Sequence, residues 1–298
     1  MIRSMMHDHV MKVALAAMAL IACGPGRTSF ARYPAAATAF DRAGSDPKAL
    51  EIADRVIAAA GGAAQWNQVK QLKWAQEITS DGKVVLAIDE AWDRWNGRHH
   101  GRLHNVASKT YSTGVASNPT QARAGEGDVV VMRKLYEDGG TAMVDTGHGL
   151  QPLGVPETQR AMAAARDRWQ LDSVTLCMPF LLEEPGTVLA YVGEVAGEPG
   201  KPPLDDLKVT LDPKDPNRTS TYHVMVNRET NLIERLEIIE AGQPDNRRSA
   251  YHLTQWTSAG GLKFATVLES VGVQGSVITY KDIAIGEPDD ALYVPVVQ

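Results

Sequence analysis

The chain has 298 residues, with 30 lysines and arginines against 36 aspartates and glutamates, so its formal net charge is −6. This mild acidity offers nucleic acid no basic footprint, which excludes the usual nucleic-acid binders. Cysteine occurs only at positions 23 and 177. Beyond residue 23 no apolar run reaches the roughly 18 residues that a membrane-spanning helix needs.

The N-terminal residues have the layout of a secretory signal. Lys12 precedes ten apolar residues, 13–22, and small residues end the run. Ten residues rise only about 15 Å as a helix, half of a bilayer core. The ending Leu20-Ile21-Ala22-Cys23 resembles the bacterial lipobox. This resemblance implies that residues 1–22 are a signal peptide and that Cys23 is the lipid attachment site. An ordinary signal with a chance cysteine is the alternative.

Residues 23–45 are small, polar and interrupted by prolines, which predicts a flexible tether between membrane and domain. Gly24 stands where aspartate would signal inner-membrane retention under enterobacterial sorting rules. By that resemblance, we expect the outer membrane, facing the periplasm. Asp46-Pro47 then predicts a helix start. Gly61-Gly62 ends that helix, and a short second helix follows around Trp66.

The remainder of the chain is mainly strand-like. Short strands are predicted from residue 73 to 145 and again from 188 to 285, joined mostly by short turns that indicate antiparallel pairing. A polar loop is predicted near 108–127 and a helical stretch over 157–182. The fold class is therefore mainly β (α+β). We expect residues 46–298 to form a single large curved antiparallel sheet, or incomplete barrel, of about eleven strands covered by helices.

Several short motifs together resemble the LolA/LolB-like lipoprotein-carrier superfamily, most closely an uncharacterised bacterial lipoprotein group within it. They are Gly61-Gly62 with Trp66, Val69 and Leu72, then Pro179-Phe180, Pro185-Gly186, Tyr191-Val192-Gly193, Thr230-Asn231-Leu232-Ile233 and Gly260-Gly261-Leu262. The resemblance implies helices lying over a hydrophobic cavity that holds acyl chains or another hydrophobic ligand. No ligand-binding residue of the characterised carriers can be matched onto this chain.

Catalytic and metal chemistry find little support in the sequence. His100 and His104 would lie about 13 Å apart in a strand, too far to bind one ion. We therefore expect His99, His100 and His104 to be solvated strand residues. Cys177 lies between Leu176 and Met178, which predicts a buried, inert thiol. Nucleophile elbows, phosphate loops and metalloprotease motifs are missing. We predict no catalytic residue, no metal and no cofactor, and hence no enzyme.

Four apolar residues are the candidate ligand contacts: Trp74, Met162, Trp169 and Leu176. The last three are spaced seven residues apart along the predicted helix and give it an apolar stripe. Such a stripe either lines a hollow or completes a dry core. The predicted function is an outer-membrane-anchored lipoprotein that binds or carries a lipid or other hydrophobic ligand. The alternative is an envelope assembly or sensor lipoprotein that binds proteins through its sheet. The predicted partners are thus the membrane through Cys23, an acyl chain and, in the alternative, envelope proteins.

Overall fold

The computed structural model describes residues 40, 42–106, 127–135, 139–145, 147–211, 221–239 and 248–294. Cys23 and the predicted signal peptide lie outside these residues, as do the predicted tether up to residue 39 and most of the predicted loop near 108–127. Lipid attachment therefore stays a prediction. Residues 42–44, near the end of the predicted tether, form a short 3₁₀ helix, Arg42–Gly44.

The described residues form three α-helices and thirteen strands. The helices are α1 (Pro47–Ala59), α2 (Ala63–Gln68) and α3 (Val155–Leu181). The strands are β1 (Gln71–Ser80), β2 (Lys83–Asp93), β3 (Arg98–Leu103), β4 (Asp128–Lys134), β5 (Gly139–Asp145), β6 (Leu150–Pro152), β7 (Thr187–Val195), β8 (Leu204–Leu211), β9 (Thr221–Asn227), β10 (Ile233–Ile239), β11 (Ser249–Ala259), β12 (Leu262–Val271) and β13 (Ser276–Gly286). A second 3₁₀ helix, Asp290–Tyr293, follows the last strand.

All these strands belong to one antiparallel sheet, in the order β6-β5-β4-β3-β2-β1-β13-β12-β11-β10-β9-β8-β7. Strands β6 and β7 are its two edges, so in the described part of the chain the sheet is open. The mainly β class is confirmed, but the expected count of about eleven strands is too low, since the described residues form thirteen. Strand β6 could not be predicted from the sequence, because three residues ending at a proline are too few to show an alternation of apolar and polar side chains.

Helices cover one face of this sheet, which we call the inner face. The carboxylate of Asp46 caps α1 by accepting from the backbone N–H groups of Lys48 and Ala49, at 2.7 and 3.2 Å. Because apolar residues recur at helical spacing, α1 buries one stripe against the sheet. That stripe consists of Ala49, Ile52, Ala53, Val56 and Ile57.

The end of α1 is fixed to the β11–β12 turn. A Cβ on Gly61 would lie 2.4 Å from the carbonyl oxygen of Gly261, and Gly61 has φ +116°, so only glycine fits there. The backbone N–H of Lys263 also donates to the carbonyl of Ala60 at 2.8 Å. At the other end, the N–H of Asp46 donates to the carbonyl of Leu189 at 2.9 Å and so covers part of the β7 edge.

Candidate functional site

Helix α3 crosses the inner face, and its two halves are buried to different extents. Residues 155–165, the shallow half, are mostly exposed or half-buried, and Ala165 is buried. In residues 168–181, the deep half, all but Gln170 and Leu171 are buried. No side chain of the described residues caps the N-terminus of α3 at Gly154. The exposed, uncapped end is therefore the one free to fray.

The deep half is part of the main hydrophobic core. Trp169 lies edge-on to Trp92, with ring centroids 5.4 Å apart. Phe180 stacks on Trp66 of α2 at 4.5 Å and meets Phe264 of β12 edge-on at 5.8 Å. These contacts join α3 to α2 and to strands β2 and β12 of the sheet. Pro179 lies inside α3, near its end, and is buried.

Three of the four predicted ligand residues meet in this core. Trp74 on β1, Trp169 and Leu176 are 2%, 1% and 0% exposed and belong to one cluster of buried apolar residues. Met162 lies elsewhere, half-buried, in a separate cluster on the shallow half. The structure thus separates Met162 from the other three predicted contacts.

A buried polar network fixes the deep half to the sheet. Arg168 donates to both carboxylate oxygens of Asp172, at 2.6 and 2.5 Å, and both side chains are almost fully buried. The amide of Gln76 on β1 also donates to Asp172, and the hydroxyl of Tyr280 on β13 does so at 3.1 Å. Thr175 shares a hydrogen bond of 2.6 Å with that hydroxyl. One helical carboxylate thereby collects donors from two central strands.

His99 and Glu90 form a second buried pair, next to this network. The Nε2 of His99 lies 3.2 Å from Oε1 of Glu90, and both side chains are fully buried. The expectation that His99 is solvated is wrong, because the β2–β3 register sets it opposite Trp92 on the inner face. Gly101 makes this possible, since a Cβ there would lie 3.3 Å from the His99 ring.

Burial also sets the protonation of this pair. It lowers the pKa of His99 well below the usual range, and the nearby Arg133 lowers it further. Burial raises the pKa of Glu90 well above the usual range, and the Asp172 carboxylate adds to this rise. Both residues therefore favour their neutral forms, while Arg168 and Asp172 form the charged pair.

The shallow half covers a small apolar cluster of its own. Buried Val131 of β4 and Ala142 of β5 form its floor, and buried Ala165 of α3 packs against them. Half-buried Met162 packs on top, with its Cε 2.6 Å from where a Cβ of Gly140 would be. Most of these side chains are short, and Met162 is long and flexible. The cluster is completed by the half-buried residues Val129, Leu153 and Ala161.

The other sequence candidates offer no further chemistry. Cys177 is buried, as predicted, and burial raises the pKa of its thiol to about 12. His100 and His104 are half-buried rather than solvated, and His104 lies 2.9 Å from Asp89 and 3.1 Å from Asp128. Among the described residues there is no group of three or more His, Cys, Asp or Glu side chains that could hold a metal ion. None of the helices in that part of the chain is long and apolar enough to cross a membrane.

Sequence reasoning missed the polar network, although a signal for it exists. Gln76 and Glu90 occupy alternate positions with Trp74 and Trp92 on β1 and β2, so alternation places polar residues on the inner face. Arg168 and Asp172 lie four apart on either side of buried Trp169. Polar residues at positions that the period assigns to the core are the signal of a buried network.

Together the fold and the site define an open antiparallel sheet whose inner face is closed by a long helix, anchored at one end and shallow at the other. Three solved structures are similar to it. A DUF1329 family protein from Desulfovibrio piger has a TM-score of 0.45 and 14% identity, covering 84% of this chain and 98% of that one. A putative outer membrane lipoprotein-sorting protein domain from Vibrio parahaemolyticus has a TM-score of 0.41 and 9% identity, covering 82% of this chain and 96% of that one.

A LolA superfamily protein from Nitrosomonas europaea has a TM-score of 0.41 and 10% identity, covering 83% of this chain and 97% of that one. This third structure belongs to the superfamily that the sequence motifs resemble. No protein-family model and no curated protein sequence matches the chain.

Proposed function

We propose that this protein is an envelope lipoprotein, held at the outer membrane through Cys23 and facing the periplasm, that binds an acyl chain without catalysing a reaction on it. The binding site is the shallow half of α3. The observation that carries this proposal is the separate, half-exposed apolar cluster around Met162, which lies outside the main core.

The form of this cluster suits an acyl chain. Met162 is its long, flexible side chain, and the floor beneath it consists of Val131 and Ala142. A methionine can change rotamer at little cost, whereas packed aromatic rings cannot. Movement of Met162 and of the uncapped first turns of α3 opens a shallow apolar trough between the helix and strands β4 and β5. Such a trough supplies the apolar lining that ligand sites usually have.

The deep half supports the same proposal by holding α3 in place. Arg168 and Asp172 are fixed by hydrogen bonds from two strands, and Trp169 is packed between rings. The shallow half can therefore lift without releasing the helix from the sheet. A buried ion pair with its hydrogen bonds satisfied resists separation, because each charge alone would be left without its partner in the core.

The test is a titration with a fluorescent fatty acid. We expect the wild-type protein to take up the probe, and Met162→Asp to bind it about tenfold more weakly because a carboxylate in the trough must be desolvated. Val273→Asp is the matched control, since Val273 lies in the β12–β13 turn, outside α3, and is 44% exposed. Uptake by the control should equal that of the wild type. A wild type that takes up no probe, or equal losses in both variants, would contradict the proposal.

The edge strand β7 favours a second candidate, the binding of an extended segment of an envelope protein. β7 is the last strand of the sheet, and Val192 on it is 53% exposed. Ser45 and Asp46 cover this edge at Leu189, and an edge left open beyond that point can accept another strand. If this function is the true one, Val192→Pro abolishes capture of the partner while the titration shows no fatty acid uptake by the wild type.

A further inference from the structure

A cleft on the other side of the molecule has the character of a second ligand site. Its volume is about 460 Å³, within the range of small-molecule sites. It lies between the tip of the β7–β8 hairpin and strands β10 and β11, and we call it the hairpin groove. Its functional side chains are Glu198, Lys201, Glu234, Arg235, His252 and Trp256.

The hairpin groove faces away from the acyl-chain site. Arg235 and His252 are register partners on β10 and β11. The next residue, Leu236, is fully buried in the core beneath the helices. Because successive side chains of a strand point to opposite faces, Arg235 and His252 lie on the outer face. A ligand here would not compete with one under α3.

The floor of the groove offers no backbone for a peptide to pair with. Strand β10 is paired with both β9 and β11, and β11 is paired with both β10 and β12. Strand addition needs a free edge, and neither strand has one. Recognition must therefore use side chains.

The charges of the groove balance one another. Lys201 and Arg235 are its two cations, and Glu198 and Glu234 are its two anions. Each has a partner inside the protein: Glu198 pairs with Lys201 at 2.7 Å, Arg235 with Glu237 at 2.5 Å, and Glu234 accepts from Asn227 at 2.6 Å. Because the charges of the described lining residues sum to zero, the groove does not favour an ionic ligand such as a phosphate.

Hydrogen-bonding capacity nevertheless remains inside the groove. Among the described residues the Nε of Arg235 has no hydrogen-bond partner, and because this atom is buried, a ligand hydroxyl reaches it only when the partly exposed Arg235 side chain turns. The Nδ1 of His252 lies 3.8 Å from Oε1 of Glu198, too far for a hydrogen bond but suited to a hydroxyl that bridges them. Half-buried Trp256 adds an aromatic ring to the same cleft. An apolar ring surface beside unpaired donors and acceptors matches a ligand with many hydroxyls and an apolar ring face.

The wall of the groove is preformed. A Cβ on Gly197 would lie 2.1 Å from the carbonyl oxygen of Pro202, so the two sides of the tip touch. The N–H of Lys201 also donates to the carbonyl of Glu198 at 2.8 Å. Prolines at 199, 202 and 203 restrict the tip further. A rigid wall lowers the entropy that a ligand must lose on binding.

We propose that the hairpin groove binds a neutral oligosaccharide, with a sugar ring against Trp256 and hydroxyl groups bonded to Arg235, His252 and Glu198. This site is separate from the proposed acyl-chain site. A protein at the envelope could then hold a lipid on one face of its sheet and a glycan on the other.

The test uses chitotriose, cellotriose and maltotriose as probes in calorimetric titrations, with saturation-transfer NMR to map the contact. We expect at least one of the three to bind. Trp256→Leu and His252→Ala should each weaken it by about tenfold or more, which corresponds to about 1.4 kcal/mol. Trp95→Leu is the matched control, because Trp95 is 36% exposed and does not line the groove.

Binding that the control variant loses to the same extent would overturn the proposal, as would the absence of binding by all three probes. Preference for a sulfated over a neutral trisaccharide would also overturn it, because the charges of the groove balance. If Trp256→Leu fails to fold, His252→Ala decides the question, since His252 is only half-buried and its ion-pair contact with Glu198 is long. Loss of fatty acid uptake in these variants would show that the two sites are not separate.

Discussion

The two halves of α3 belong to one helix, yet the structure holds them by different means. The deep half is attached by a charged pair, hydrogen bonds from β1 and β13, and three aromatic contacts. The shallow half rests on short side chains through Met162, and no side chain in the described part of the protein caps its start. The difference shows how a single helix can both complete a core and cover a site. The half that is fixed by directional bonds lets the other half move.

The largest expected effect comes from breaking the Arg168–Asp172 pair. Asp172→Ala leaves the buried guanidinium of Arg168 without its carboxylate and should cost about 3–5 kcal/mol of unfolding free energy in urea denaturation. The double variant Arg168→Met with Asp172→Leu removes both charges and should recover part of that loss, because apolar residues of similar size often replace a buried pair without cost. Recovery should stay incomplete, because the buried donors of Gln76 and Tyr280 still lose their acceptor. Equal stability of the single and double variants would show that the pair does not anchor the helix.

A second prediction concerns the pH dependence of stability that His100 on strand β3 produces. Burial lowers the pKa of His100 from 6.5 to about 4, so the folded state holds the neutral form and the unfolded state takes up the proton first. Stability should therefore fall as the pH drops from about 6.5 to 4, by at most about 3 kcal/mol from this residue. His99 acts in the same direction beneath α3, while the raised pKa of Glu90 acts in the opposite one.

Because the contributions of these residues to stability have opposite signs, the informative quantity is the difference in unfolding free energy between wild type and His100→Gln at each pH. The variant should lose less stability between pH 7 and 4 than the wild type, as measured by urea denaturation. Parallel pH profiles for the two proteins would refute the assignment to His100.

The smallest expected effect lies on the shallow half. Met162 is half-buried, so Met162→Ala should cost only about 1 kcal/mol. Leu176→Ala is the matched change on the deep half, where the side chain is fully buried, and should cost about 2–5 kcal/mol. Thermal unfolding of both variants checks this order. Equal losses would mean that the shallow half is as tightly packed as the deep half.

Much of the fold could be read from the sequence because period and turn chemistry agree along most of the chain. Asp46-Pro47 predicts the start of α1 and Gly61-Gly62 predicts its end, and the protein adopts both. The site was harder to predict, because Trp74 and Trp169 look alike as core residues and as ligand contacts. Only the three-dimensional packing shows that they fill a core while Met162 lies apart. The polar network depends on contacts of Asp172 with Gln76 and Tyr280, which are about a hundred residues away in the sequence. A local sequence pattern cannot predict contacts between residues so far apart.

Hydrogen–deuterium exchange along α3, with and without a fatty acid, tests the central claim most directly. Amides exchange through local opening, so the two halves should report their different attachment separately. We predict that residues 155–165 exchange much faster than residues 168–181 in the free protein, and that the fatty acid slows exchange only in the shallow half and in strands β4 and β5. Exchange of both halves at one rate, or a fatty acid that protects the deep half alone, would contradict the account.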